Sequence, residues 1–161
     1  MKNQTKYIIG GAALLGFITL FLGLNYGPSA SNNLAAVGSS DLVATNGIHW
    51  HPMLEIVIDG EVMEIPTGIG LTGGHDPMHT HESDGTVHLE YPQFVTQEDT
   101  TLGRFFEVWG KKLSATSVLD YDESEGDQIS FTVNDQEIID PVNYQFSDGE
   151  TIKIEVQTNQ T

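Results

Sequence analysis

Residues 54–65, LEIVIDGEVMEI, contain two apolar, partly β-branched runs on either side of the dipeptide Asp59-Gly60. Asp-Gly between such runs is a strong hairpin signal, because the favoured two-residue turn needs positive φ at both positions. Counting outward from this turn places Met63 opposite Ile56, where its side chain is expected to pack in the core. The sequence therefore predicts an antiparallel β-hairpin as the first firm unit of the fold.

A second Asp-Gly dipeptide lies within residues 79–90, HTHESDGTVHLE. If Asp84 and Gly85 form a two-residue turn, His81 lies opposite His88 and His79 lies opposite Glu90. Opposed residues share a face of the sheet, and side chains alternate between faces along a strand. This register places three histidines and a glutamate on one face. The residues expected on the core-facing side are Thr80, Val87 and Leu89.

The histidines are clustered, since all six lie between positions 49 and 88. Opposed Cβ atoms are about 5 Å apart and an imidazole nitrogen binds zinc at about 2.0–2.1 Å, so three histidines on one face can converge on one ion. Glu90 is then a fourth ligand or a partner that orients one. His49 and His51 either complete this site or build a second one. The predicted metal ligands are His79, His81, His88, His49, His51, Glu90, His75 and Met78.

The ligand types narrow the choice of metal. The chain has no cysteine, which excludes thiolate sites and iron–sulfur clusters and argues against a blue-copper centre. Imidazoles with a methionine nearby favour copper, and zinc bound by three histidines is the second choice. Two histidines and a carboxylate would also suit non-haem iron.

One helix is predicted after the histidine-rich segment. Apolar side chains recur at i, i+3, i+4 and i+7 within residues 102–109, and Thr101 is placed to cap the N-terminus. Gly110 ends the pattern, and two lysines follow it near the negative end of the helix dipole. The aromatic stripe of Phe105, Phe106 and Trp109 is interpreted as core packing.

The C-terminal third alternates short apolar runs with turn signals. Strands are predicted at residues 117–119, 129–133 and 152–156, with turns at Asn134-Asp135 and Asp148-Gly149. Residues 120–127 are interpreted as a solvated acidic loop, because their spacing does not fit a calcium-binding EF-hand loop. The order of elements predicts an α+β or mainly β fold, a small antiparallel sheet built of hairpins with one amphipathic helix.

The N-terminal segment is typical of a membrane anchor. Residues 7–24 carry no charge and reach the lower end of the ~17–25 residues that span a bilayer, and Lys2 and Lys6 precede them. The positive-inside rule then places residues 1–6 in the cytoplasm and the domain on the extracytoplasmic side. A cleaved signal peptide is the alternative. Residues 25–45 are expected to be a flexible tether, residues 46–157 the metal-binding domain and residues 158–161 a tail.

The chain is strongly acidic, with 23 acidic and six basic residues and a net charge of −17. All the acidic residues follow position 40, so the charge is concentrated in the predicted domain. Such a surface repels phosphate backbones, which excludes nucleic acid as a partner and disfavours anionic lipid surfaces. Membrane contact is therefore expected through the N-terminal helix alone.

Three blocks together resemble a family of prokaryotic membrane-anchored, histidine-rich proteins with no established activity. They read HWHPMLEIVIDGE at 49–61, MHTHESDGTVHLE at 78–90 and TLGRFFEVWGKKL at 101–113. The resemblance covers most of residues 46–156 and implies an anchored domain. Some members of the family carry a cysteine shortly before the second block, where this chain has His75 and Asp76.

Three functions fit this pattern. The preferred one is an anchored, extracytoplasmic protein that captures or transfers copper, or zinc, with a metal donor or acceptor protein as its partner. The second is a metalloenzyme, either a zinc hydrolase or a copper or iron oxidase, for which Glu90, Glu82 or Asp76 could be the base. The third is a domain in which the metal only stabilises the fold. No nucleophile motif, phosphate loop or cofactor fingerprint is present, so no catalytic residue is assigned.

Overall fold

The structure, a computed structural model, describes residues 41–159, which all belong to one compact unit of the chain. Within this range one α-helix, α1 (Leu102–Trp109), and two short 3-10 helices (Glu98–Thr100 and Glu123–Glu125) accompany thirteen strands. The strands in chain order are β1 (Leu42–Ala44), β2 (Ile48–Trp50), β3 (Met53–Ile58), β4 (Glu61–Met63), β5 (Met78–His79), β6 (His88–Tyr91), β7 (Val95–Thr96), β8 (Leu113–Ser114), β9 (Ser117–Val118), β10 (Tyr121–Asp122), β11 (Gln128–Val133), β12 (Gln136–Glu137) and β13 (Thr151–Gln157).

The first predicted hairpin is confirmed. Asp59 and Gly60 have φ values of 50° and 86°, and the turn joins β3 to β4. Ile56 lies opposite Met63, and Met63 packs partly buried against the core. Local sequence alone therefore set both the turn and the register.

The largest sheet has five strands in the order β12-β11-β13-β3-β4. Strand β13 runs parallel to β3, with Ile154 beside Ile56, whereas every other pair of neighbouring strands in this sheet is antiparallel. The expectation of a purely antiparallel sheet is wrong for this pair, because strands so far apart in sequence carry no local signal of their relative direction. The broader expectation, a mostly β chain with small antiparallel sheets and one helix, is confirmed.

Helix α1 forms as the sequence predicted. The Thr101 hydroxyl accepts a hydrogen bond from the Arg104 backbone N–H at 3.1 Å, and Gly110 ends the helix with a φ of 70°. Phe105 and Phe106 are buried and point into the main hydrophobic cluster, so the aromatic stripe is core. The helix lies against β5, the strand that carries His79.

The C-terminal turns are also confirmed. Asn134 and Asp135 have positive φ between β11 and β12, and Gly149 has a φ of 73° before β13. The acidic segment at 120–127 is more ordered than a plain loop. It contains β10 and a 3-10 helix, and the Lys112 ammonium pairs with Asp122 at 2.6 Å.

The two ends of the described chain are paired to the rest of it. Strand β1 lies in the range expected as tether and pairs with β7. At the other end, the Thr158 backbone N–H and hydroxyl donate to the Asp59 carboxylate at 2.8 and 2.7 Å. The predicted anchor at residues 7–24 lies outside the described residues. Among residues 41–159, no helix has the length and apolar character needed to cross a membrane.

Candidate metal centre

A three-stranded antiparallel sheet, in the order β2-β6-β5, carries the histidines. In the central strand β6, His88 lies opposite His79 of β5, and Glu90 lies opposite His49 of β2. Opposed residues share a face, so these four side chains project from one side of the sheet. The alternate residues Met78 and Leu89 face the other side and are fully buried in the core.

The predicted turn of the second hairpin is wrong. His79, not His81, lies opposite His88, and eight residues (80–87) connect the two strands. Only Gly85 of the Asp-Gly pair has positive φ, and the Asp84 carboxylate instead accepts a hydrogen bond from the Thr86 N–H at 2.9 Å.

Gly85 is used for a close approach to strand β3 rather than for a tight turn. Its carbonyl accepts a hydrogen bond from the Leu54 N–H at 2.9 Å, and a Cβ at this position would collide with the Leu54 carbonyl oxygen. The Val87 N–H donates in the same way to Pro52. Since these bonds fix the 80–87 segment on β3, His81 is presented from a loop.

Four side chains form the inner cluster, defined as His79, His81, His88 and Glu90. Each offers one ligand atom, and these atoms all lie within 4.8 Å of one another. The Nε2 atoms of His79 and His81 are 3.1 Å apart. Two ligands bound at 2.0–2.1 Å to one tetrahedral ion are about 3.4 Å apart, so this pair is close to the required spacing.

The ring of His79 is oriented by a hydrogen bond from its Nδ1 to the backbone carbonyl of Asp76, at 3.0 Å. A carbonyl can only accept, so in the neutral ring Nδ1 carries the proton and Nε2 carries the lone pair, which lies towards the Nε2 of His81. Asp76 is itself fixed, since its carboxylate accepts from Arg104 at 2.7 Å and from the Met78 N–H at 3.0 Å. Such an oriented imidazole is characteristic of metal-binding histidines.

His88 has a buried nitrogen that lacks a partner. Its Nδ1 makes no hydrogen bond, and the Glu90 carboxylate is 3.7 Å away. Buried side-chain nitrogens are rarely left unsatisfied, because the lost hydration has no replacement. A metal ion bound between His88 and Glu90 would use this lone pair.

A second group, the outer cluster, consists of His49, His51 and His88, whose ligand atoms also lie within 4.8 Å of one another. The His49 Nε2 is 3.3 Å from the Glu90 carboxylate, and the His49 side chain is 66% exposed. His51 is exposed as well, and its ring lies 4.8 Å from the ring of His88. His88 therefore belongs to both clusters.

The environment favours neutral imidazoles at the centre of the site. Burial lowers the pKa of His79, an effect that the hydrogen bond to Asp76 and the charge of Glu90 partly offset. Burial also lowers the pKa of His88, and the neighbouring His51, His81 and His79 lower it further. Metal ions bind the neutral form of imidazole, so both shifts favour coordination near neutral pH.

The remaining predicted site residues lie apart from the two clusters. Met78 is buried in the core on the opposite face of β5, which removes it from any surface site. His75 is exposed and packs its ring 4.5 Å from that of His79, but it joins neither cluster. Of the candidate bases, Asp76 is paired with Arg104, and Glu82 is exposed.

Sequence reasoning missed the support of the site by Arg104 and Thr80. The sequence pattern predicts the helix that carries Arg104 but not its pairing with Asp76. It predicts Thr80 only as a core-facing residue. Thr80 is fully buried, and its hydroxyl donates to the Pro66 carbonyl at 2.8 Å and accepts from the Ile69 N–H at 3.1 Å. No sequence pattern signalled these two bonds.

Comparison with known proteins adds no assignment: no family model, curated protein or solved structure matches this chain. Several of its histidine and glutamate groups are nevertheless positioned close enough together to bind a metal ion. The function is therefore argued from the geometry and chemistry of these groups.

Proposed function

We propose that this chain is a membrane-anchored, extracytoplasmic protein that captures and transfers a metal ion, copper in the first place and zinc in the second. The observation that carries the proposal is the convergence of the inner cluster. Three of its members lie on one face of the sheet, His81 reaches them from its loop, and His79 is already oriented by Asp76. Three imidazoles and a carboxylate gathered at one point have little other physical purpose, since they pack poorly and the imidazoles repel one another when protonated.

The preference for copper is based on the nitrogen ligands. Because Met78 lies in the core, the thioether sulfur near the histidines no longer supports copper at this position. Imidazole sites still bind copper(II) more tightly than other divalent first-row metals, in the Irving–Williams order. Zinc accepts the same set, with three nitrogens and one oxygen in a tetrahedral arrangement.

The gradient of exposure across the clusters favours a carrier over an enzyme. His79 is fully buried, whereas His49, His51 and His81 are exposed to solvent. A partner protein can reach the exposed ligands and replace them one at a time, which is how a bound ion is handed over without being released. A hydrolase would need a free base beside the metal, and Asp76 is held in an ion pair with Arg104.

The location rests on the sequence of residues 1–24. An uncharged apolar run preceded by Lys2 and Lys6 supports an anchor with the domain on the extracytoplasmic side. Protease added to spheroplasts that express the full chain should remove the domain. Protection of the domain until the membrane is lysed would contradict this orientation.

The deciding experiment measures metal content and metal binding. The full 161-residue chain, purified in detergent without a histidine tag, is titrated with copper(I), copper(II) and zinc in competition with a chelator. We expect one copper per chain, lost in a His81→Ala/His88→Ala double variant and kept in Glu82→Ala, an exposed neighbour outside the clusters. Absence of binding near micromolar metal would refute the proposal. Tight binding of zinc that keeps an exchangeable water ligand would favour a zinc hydrolase instead of a carrier.

A further inference from the structure

We propose that His49 and His51 form an outer metal position that receives the ion and passes it to the inner cluster through the shared ligand His88. The inference rests on the proposed function and adds the route by which the ion reaches the inner cluster. The sequence left open whether these two histidines complete one site or build another. The structure favours a second position that overlaps the first.

The imidazole rings form a continuous path across the sheet. The His49 and His51 ring centroids are 4.7 Å apart, His51 and His88 are 4.8 Å apart, and His88 and His81 are 4.7 Å apart. His81 in turn contacts His79, the most buried member. An ion can therefore exchange one nitrogen ligand at a time along this path and keep at least one protein ligand throughout.

Burial increases from the outer pair through His88 to His79, whereas His81 on its loop is exposed. His49 and His51 are exposed, the His88 side chain is 20% exposed and His79 is fully buried. A hydrated ion meets the exposed pair first, and it loses its water molecules in steps as it moves inward. Because Glu90 is 3.3 Å from His49 and 3.7 Å from His88, its carboxylate can offset the charge of the ion at either position.

The two positions are mutually exclusive. Both need His88, and Glu90 lies within 4 Å of a histidine of each position, so two divalent ions would lie only a few ångströms apart and would repel each other. The expected stoichiometry is therefore one ion per chain, although two sets of ligands are present.

The test compares rates with affinities. Copper(II) loading of the full chain, and its removal by excess chelator, are followed by stopped-flow absorbance for the wild-type protein and for His49→Ala/His51→Ala. The double variant should load and release copper about tenfold more slowly, as expected if roughly 1.4 kcal/mol is added to the barrier. Its equilibrium affinity should fall far less than that of His81→Ala.

Glu82→Ala is the control, because Glu82 is exposed and belongs to neither cluster. It should exchange copper at the wild-type rate. Four results would each overturn the outer position. They are equal slowing in Glu82→Ala, unchanged rates in the double variant, an affinity loss in the double variant as large as that in His81→Ala, and two ions per wild-type chain. Copper binding by the wild-type chain would still support the proposed function in all four cases. If the wild-type chain binds no copper, the proposed function fails and this inference fails with it.

Discussion

His88 is the residue on which both groups of ligands depend. It is the first residue of β6, the central strand of the histidine-bearing sheet, and lies opposite His79, and its buried Nδ1 has no hydrogen-bond partner. A tight turn at Asp84-Gly85 would have set His81 opposite His88 and made the two positions equivalent. In the structure His81 belongs to one cluster and His88 to two.

Replacing His88 should therefore weaken metal binding more than replacing His81. We expect His88→Ala to lower copper affinity by more than the roughly 10–100-fold that loss of an orienting partner costs, because a direct ligand of both positions is removed. Competition titration against a chelator measures this. Glu82→Ala is the control, and equal losses for His81→Ala and His88→Ala would contradict the shared role of His88.

Substitution of Thr80 tests whether its two hydrogen bonds hold the loop that carries His81. Thr80→Val keeps the shape of the side chain but leaves the buried Pro66 carbonyl and Ile69 N–H without their partner. We expect a loss of about 1–3 kcal/mol in the free energy of unfolding, measured by urea denaturation of the metal-free protein. Thr80→Ser keeps the hydroxyl and should lose less. A Thr80→Val variant as stable as the wild type would show that these bonds do not hold the loop.

The lowered pKa values of His79 and His88 predict how stability depends on pH. Each histidine has a pKa of about 6.5 in the unfolded chain and a lower one in the folded chain, so the unfolded state binds more protons between the two values. The metal-free protein should therefore lose stability as the pH falls below about 6.5. Urea denaturation at pH 7.5 and 5.5 tests this, and a His79→Gln/His88→Gln variant should lose less. An equal loss of stability between pH 7.5 and 5.5 in both proteins would contradict the assignment of this pH dependence to His79 and His88.

At the scale of elements, helix α1 supports the metal centre through a single ion pair. Arg104 binds the Asp76 carboxylate at 2.7 Å, and the Asp76 carbonyl accepts a hydrogen bond from His79 Nδ1. Gly70 allows this loop to lie close, since a Cβ there would contact the Met78 carbonyl and the His79 Cβ. Helix α1 therefore fixes Asp76 through Arg104, and Asp76 fixes the orientation of the His79 ring.

Removing this ion pair should weaken metal binding without removing a ligand. Arg104→Met is expected to lower copper affinity by about 10-fold, at the lower end of the effect of orienting partners. Lys111→Met removes the same charge from an exposed position just beyond the helix and is the matched control. If both variants lose affinity equally, the effect is one of net charge and not of positioning.

At the scale of the whole molecule, the fold has a hydrophobic core of its own. Buried side chains from β3, β13, α1 and the histidine-bearing sheet form one cluster that includes Ile56, Ile154, Phe105 and Leu89. The metal centre lies on the outer face of one small sheet, so its ligands are not part of this core. The fold should therefore persist when the metal is removed.

Metal removal tests this separation of site and core. We expect a chelator to leave the far-ultraviolet circular dichroism spectrum unchanged at 25 °C and to lower the thermal midpoint. Copper at 100 times its Kd should restore about 2.7 kcal/mol of stability. Unfolding by the chelator alone would instead identify the metal as a structural element.

Features that depend on neighbouring residues alone could be predicted before the structure was known. The Asp59-Gly60 turn needed positive φ at two neighbouring residues, and α1 needed a cap, a periodic apolar stripe and a terminal glycine, so all of these could be predicted. The sequence also grouped the histidines. Four other features could be seen only in the folded chain. The histidines separate into two clusters that share His88, and Gly85 docks on β3. Strand β3 pairs in parallel with β13, and Arg104 pairs with Asp76. Each of these joins residues through space, and no local pattern records which distant backbone will satisfy a given hydrogen bond or cover a given face.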